Sequence, residues 1–196
     1  MLIVLTTALL PIAGSAADDA RSVLSQGNYA DAIATYTARL ADATGMEKIE
    51  LQISRGEAYR ALGYYEQART DFSQALSAAL DWEAPVLTAI ATQALGYIDF
   101  LERDMEMAEM NLRSALLQAE ALDKPVLAAA GANRLGTVLF NLNQPEDALK
   151  LYQKALNYLN TADDPGLEAA IRRNLARVTA DDEAAFELLI AAQKKA

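Results

Sequence analysis

The 196-residue sequence contains no cysteine and no histidine. The first absence excludes disulfides, thiol nucleophiles and lipid attachment through an N-terminal cysteine. Together the two remove imidazole acid–base catalysis and the ordinary zinc ligand sets. Carboxylates remain, but the acidic pairs Asp18-Asp19, Asp163-Asp164 and Asp181-Asp182 each precede an apolar helical run. There they cap helices, accepting free N–H groups at the positive end of the helix dipole. No constellation meets the requirements of an active site, so the sequence reads as a non-enzyme with no cofactor, catalytic group or metal. Basic residues are also scarce: 17 Lys and Arg stand against 27 Asp and Glu, a net charge of −10. That excludes the basic stripe of a general nucleic-acid binder and disfavours anionic membrane surfaces. Alternating β-branched runs are few, so no sheet is expected.

What the sequence does contain is a phrase said four times. Gly27-Asn28-Tyr29-Ala30-Asp31-Ala32 recurs as Gly63-Tyr64-Tyr65-Glu66-Gln67-Ala68. Arg103-Asp104-Met105-Glu106-Met107-Ala108 and Asn143-Gln144-Pro145-Glu146-Asp147-Ala148 are the third and fourth copies. Four residues after each alanine stands a large apolar residue: Tyr36, Phe72, Leu112 and Tyr152. Ala75, Ala115 and Ala155 add a small residue three further on; Arg39 takes that place in the first copy. The alanines are spaced 36, 40 and 40 apart, and Pro85, Pro125 and Pro165 keep the step of 40. Gly56, Gly96 and Gly136 recur twelve residues before the last three alanines. A fixed period of this length means stacked helix pairs. Helices are expected at 17–26 and 30–41, then 46–62 and 65–80, 85–102 and 105–122, 125–142 and 145–159, 167–179 and 182–195. Glycine disfavours a helix by about 1 kcal/mol against alanine, so close helix crossings must offset it at Gly56, Gly96 and Gly136.

The pattern resembles the tetratricopeptide repeat family. The matching residues are Gly56, Tyr59, Ala68, Phe72 and Ala75, then Leu95, Gly96, Ala108, Leu112 and Ala115, then Leu135, Gly136, Ala148, Tyr152 and Ala155. The family repeat is about 34 residues, and the 40-residue step departs from it through longer helices and links. The resemblance implies an all-α, right-handed superhelical solenoid of about four and a half antiparallel helix pairs over residues 18–196. It also implies protein binding on the concave face, which the first helix of each pair lines. By similarity to the family, the contact positions lie three before the conserved small residue and one, four and five after it. They include Arg60 in the second unit and Gln93, Tyr97 and Phe100 in the third. Asn133, Thr137, Phe140 and Asn141 hold them in the fourth, and Arg173 and Arg177 in the fifth. Aromatics suit anchoring, amides both donate and accept, and paired arginines hold carboxylates. The alternative is that the aromatics pack on the second helices and that Arg173 and Arg177 pair with Glu168 or Asp181.

Met1 to Ala17 carries no charged side chain. An apolar run, Pro11 and the small residues Ala13-Gly14-Ser15-Ala16-Ala17 read as a secretory signal removed before Asp18. An uncleaved anchor and an ordinary first helix are the alternatives, the latter leaving the protein cytoplasmic. The expected protein is therefore a periplasmic or secreted scaffold, assembly factor or chaperone-like adaptor. It binds a peptide or helix of another protein, with no nucleic acid and no membrane beyond an uncleaved leader. The alternative function is a self-associating solenoid that forms a homo-oligomer.

Overall fold

The structure, a computed structural model, describes residues 28–179. Among them there are eight α-helices and no strand. They are α1 (Tyr29–Leu40), α2 (Gly45–Ala61), α3 (Tyr65–Asp81), α4 (Pro85–Leu101), α5 (Met105–Ala121), α6 (Pro125–Asn141), α7 (Pro145–Leu159) and α8 (Pro165–Val178). The expected spans agree to within a residue, except that α8 starts two residues earlier, at Pro165. Proline suits a first helical position because its missing N–H would have no partner there. Asp164 caps α8, its Oδ1 accepting from the Leu167 N–H at 2.9 Å. The leader, the expected helices 17–26 and 182–195 and the pairs Asp18-Asp19 and Asp181-Asp182 lie outside the described residues.

From α2 onward every helix begins 20 residues after the one before: Gly45, Tyr65, Pro85, Met105, Pro125, Pro145, Pro165. The 40-residue repeat is thus two equal halves. The turns repeat as well. Gly63, Glu83, Arg103, Asp123 and Asn143 all have positive φ, between 50° and 81°. The next residue in each turn sends its N–H to a carbonyl five residues back, as in Ala84 to Ala79 (2.8 Å) and Asp104 to Asp99 (2.9 Å). This is the Schellman closure, which satisfies carbonyls left open at a helix end.

The described chain parts into two compact units, 28–104 and 105–179. In the first, α2 and α3 run antiparallel: Gln52 meets Gln74 at 2.8 Å, and Arg55 grips Asp71. Ile49, Ile53, Phe72, Leu87 and Ile98 fill the core between layers of alanine. A second cluster gathers Ala32 and Tyr36 of α1 with Leu51 and Ala58 of α2. Gly56 lies against the Phe72 ring so closely that a Cβ there would come within 2.6 Å of it. Arg55 and Asp71 form a two-pronged pair at 2.7 and 2.8 Å, with Asp71 buried. That hydrogen bonding, against the pull of burial, holds Arg55 above the ordinary arginine pKa. Arg69 of α3 reaches Asp99 and Glu102 near the end of α4.

In the second unit α6 and α7 are antiparallel, and the Tyr152 ring sits on Gly136. The repeated residues Ala108, Leu112, Ala115, Ala148, Tyr152 and Ala155 are all buried, as are their counterparts Ala32, Tyr36, Ala68, Phe72 and Ala75 in the first unit. They are core. Alike helices run parallel: Glu120 of α5 accepts from Lys154 and Tyr158 of α7. Asn133 and Phe140 of α6 meet Asn174 and Arg177 of α8.

Candidate partner-binding faces

The first helices α2, α4, α6 and α8 start at equivalent points, so their thirteenth and sixteenth residues are equivalent too. The thirteenth are Glu57, Tyr97, Thr137 and Arg177; the sixteenth, within α2, α4 and α6, are Arg60, Phe100 and Phe140. Within each unit, parallel packing brings the sixteenth residue of one first helix onto the thirteenth of the next. In the unit 28–104 this sets the Arg60 guanidinium 5.3 Å from the centre of the Tyr97 ring. In the unit 105–179 it sets the Arg177 guanidinium 5.3 Å from the centre of the Phe140 ring. The cation and the ring have exchanged positions.

The two sites differ in charge. Arg60 donates to Glu57 at 2.7 Å, and both side chains are largely buried. Burial by itself would lower the Arg60 pKa. The Glu57 carboxylate, Tyr97 and Tyr29 together outweigh burial and hold it above the ordinary arginine value. Tyr97 in turn stacks on Phe100 at 5.8 Å. Arg60, Tyr97 and Phe100, all expected at the partner face, therefore form one closed cluster whose positive charge is already matched. Gln93 is buried on the same helix.

On the other unit Asn133, Thr137, Phe140 and Asn141 lie on α6 and Arg173 and Arg177 on α8, and not all are exposed. Asn133 is buried, and its Oδ1 accepts from Asn174 Nδ2 at 2.9 Å. Thr137 donates to the Asn133 carbonyl at 3.0 Å and accepts from the Tyr152 hydroxyl at 3.3 Å. Burial raises the Tyr152 pKa, and the Thr137 hydrogen bond and Arg177 oppose that rise. Asn141 donates to the Thr137 carbonyl at 2.8 Å from an exposed position. Arg173 and Arg177 are exposed. Glu168 pairs with Arg172 at 2.7 Å, and neither Arg173 nor Arg177 forms an ion pair with a described residue. Asp181, the other acid named as a partner for these arginines, lies outside the described residues.

Two features escaped the sequence reading. Asn174 links α8 to Asn133 and stands one residue beyond the position read there. A polar residue one turn before Val178 was the available signal. The second is on α5, where Met107, Met110 and Leu117 are exposed, the last two at 54% and 60%. Spacings of three and seven put them on one helix face. Forty residues earlier the same positions hold Gln67, Thr70 and Ser77; forty later they hold Asp147, Lys150 and Asn157. The apolar stripe belongs to α5, not to the repeat. Among the described residues no helix is long and apolar enough to cross a membrane.

Residues 49–81 match the tetratricopeptide repeat family model. No curated protein matches the chain. Among solved structures it is similar to BtubC from P. vanneervenii, at 18% identity over 92% of this chain and 78% of that one, with a TM-score of 0.71. The Rap conjugation gene regulator of plasmid pLS20, in complex with the Phr* peptide, matches at 16% identity and a TM-score of 0.80. That match covers 89% of this chain and 50% of the regulator, so this chain spans half its length. MamA matches at 18% identity over 90% and 93% of the two chains, with a TM-score of 0.54. With residues 49–81 of α2 and α3 matched in sequence, antiparallel helix pairs and an in-phase core, the described residues have an all-helical, tetratricopeptide-repeat-like fold built on a 40-residue step.

Proposed function

We propose that this protein is a non-enzymatic interaction module that binds a peptide or helix of another protein on its first-helix faces. It serves as a scaffold, assembly factor or chaperone-like adaptor, in the periplasm or outside the cell, after removal of residues 1–17. The observation that carries the binding is the face of α6 and α8. Exposed Arg177 lies 5.3 Å from the centre of the half-buried Phe140 ring there, exposed Asn141 follows Phe140 on α6, exposed Arg173 is one turn before Arg177 on α8, and Asn133, Asn174 and Thr137 are joined by hydrogen bonds. Rigid polar support below an aromatic anchor and free charges is the arrangement of a binding hot spot. The Rap regulator, of similar fold, is seen with a peptide. Affinity capture from the native host with mass spectrometry identifies the partner. Phe140→Ala, folded by circular dichroism, should then cost about 1–2 kcal/mol of binding by calorimetry. An affinity that survives both Phe140→Ala and Asn141→Ala places the interface elsewhere. The intact mass of the protein from its host tests export: a mature chain that still begins at Met1 refutes it.

The α5 stripe favours a second reading, self-association through Met107, Met110 and Leu117. Light scattering on the parent and on Met110→Lys/Leu117→Lys tests it; a monomeric parent at all concentrations rules it out.

A further inference from the structure

We propose that Trp82 is a platform for the side chain of a lysine or arginine on a basic segment of a partner protein. The site lies wholly within the unit 28–104, at the turn between α3 and α4, and does not depend on the α6–α8 face. Trp82 is 60% exposed, although an indole is the largest apolar group that a side chain can bury. Its six-membered ring nevertheless has a seat. A Cβ on Gly45, the first residue of α2, would stand 3.1 Å from Cη2, 3.4 Å from Cζ2 and 3.6 Å from Cζ3. Gly45 also has a φ of 59°, a conformation that suits glycine. Neither residue belongs to the repeat. At steps of forty residues Leu122 and Ala162 hold the place of Trp82, and Pro85, Pro125 and Pro165 hold the place of Gly45. The turn after α5 carries Leu122 and closes in the same way, the Lys124 N–H donating to the Ala119 carbonyl at 3.0 Å. The turn therefore does not require an indole.

The charge around the ring selects a cation. Trp82 caps the C-terminus of α3, the negative end of the helix dipole, and the last turn of α3 has no basic residue to match it. Asp81 and Glu83 flank Trp82 in the sequence; both are exposed, and neither forms an ion pair with a described residue. Near Gly45, Glu47 is engaged by Arg39 at 2.9 Å, and Asp42 is exposed. Lys48 is exposed as well and makes no contact with the ring. Trp82 also belongs to the more acidic unit, with twelve acids against six bases in 28–104 and nine against eight in 105–179. A cation over an aromatic face is attracted by the ring's quadrupole, and tryptophan attracts it best. The alkyl stem of lysine or arginine covers apolar surface; Met46, next to Gly45, and Leu80, two residues before Trp82, are exposed. An acidic side chain would meet Asp81 and Glu83, and an apolar one would leave them unmatched. Lys194 and Lys195 of this chain, outside the described residues, are the competing source of a cation.

Trp82 is the single tryptophan, so its fluorescence reads the site directly. The test titrates the full chain with a blocked glycine–arginine–glycine–arginine–glycine peptide and with the same peptide carrying citrulline, the neutral counterpart of arginine. The arginine peptide should change the emission saturably, and the citrulline peptide should not. Glu83→Gln should weaken the arginine peptide about two- to fivefold, the worth of one exposed charge pair. About 0.5 M salt should weaken it too. Glu66→Gln removes an exposed charge at the other end of α3 and should leave the affinity unchanged. Trp82→Leu, which installs the residue type found forty positions later, should keep the helical circular dichroism and abolish the heat of binding in calorimetry. Equal responses to the two peptides overturn the proposal, as does equal weakening by Glu83→Gln and Glu66→Gln. Undiminished binding by folded Trp82→Leu overturns it as well. So does a parent that fails to respond, including one that responds only after Lys194→Gln/Lys195→Gln, since the chain's own lysines then hold the ring.

Discussion

Gly136→Ala adds one methyl group to the α6–α7 crossing, and the structure says what it meets. The new Cβ would lie 2.8 Å from Tyr152 Cε1, 3.1 Å from Cδ1 and 3.2 Å from Cζ. Carbon atoms pack at about 3.5–4.0 Å, so the ring must retreat by several tenths of an ångström or more. Tyr152 is buried, and retreat drives it into its neighbours. Overpacking of this kind costs about 1–3 kcal/mol. Alanine gains back about 1 kcal/mol through its better helix propensity, for a net loss of about 0–2 kcal/mol. Gly136→Leu has the larger clash and nearly the same gain, so it should lose about 3 kcal/mol or more. A double-mutant cycle separates the opposed terms. In a Tyr152→Leu background the ring is gone, and Gly136→Ala should become neutral or stabilising by up to about 1 kcal/mol. The coupling between the two sites should be about 1–3 kcal/mol. Urea unfolding followed by circular dichroism reads all helices together. The fluorescence of Trp82, the single tryptophan, reads the unit 28–104. Coincidence of the two transitions tests whether the units unfold as one. The reasoning is refuted if Gly136→Ala stabilises the parent by the full propensity gain and the coupling is zero.

Three further outcomes follow from the same geometry. Arg103 occupies a left-handed turn position at φ 71°, so Arg103→Gly should raise stability by about 1 kcal/mol. Asn143→Gly should gain less, because asparagine tolerates that region, and equal thermal shifts would contradict the backbone argument. Asp71→Ala strands the Arg55 guanidinium and should cost about 2–4 kcal/mol in urea unfolding, whereas Arg55→Met/Asp71→Leu should recover most of it; a double variant as weak as the single one counts against this. Burial pushes the Glu120 carboxyl up, but Lys154 and Tyr158 outweigh it and hold it below the ordinary value. Its stabilisation is then present above the unfolded pKa of about 4.3 and lost as pH falls through the lower folded value. Glu120→Gln should cost at most about 1 kcal/mol at neutral pH, with a gap from the parent that closes in acid; a gap that widens in acid reverses the sign and refutes the assignment.

Periodicity was legible because every repeat solves the same packing problem with the same residue sizes. Ala68, Ala108 and Ala148 are buried and small, while Phe72, Leu112 and Tyr152 are buried and large. Helix starts were read from Pro85, Pro125 and Pro145, because proline suits a first turn; the same rule holds at Pro165, two residues before the expected start of α8. The 20-residue half-step was harder to see, since its turn residues, Glu83, Arg103, Asp123 and Asn143, share a backbone conformation and no side-chain chemistry. The ten expected partner residues were chosen by position, and position alone does not set exposure. Asn133 and Gln93 are buried, and Arg60 is matched by Glu57, whereas Arg177 is open.

The sequence by itself determined the helical class, the repeat, its core residues and the absence of thiol and imidazole chemistry, all of which are local or periodic properties. Tertiary structure decided which charges are spent. Arg60 finds its acid three residues back on its own helix and its ring thirty-seven residues on. Arg177 finds a ring thirty-seven residues back and no described acid. That difference depends on which side chains parallel packing brings together across the repeat, and no window along the chain contains it.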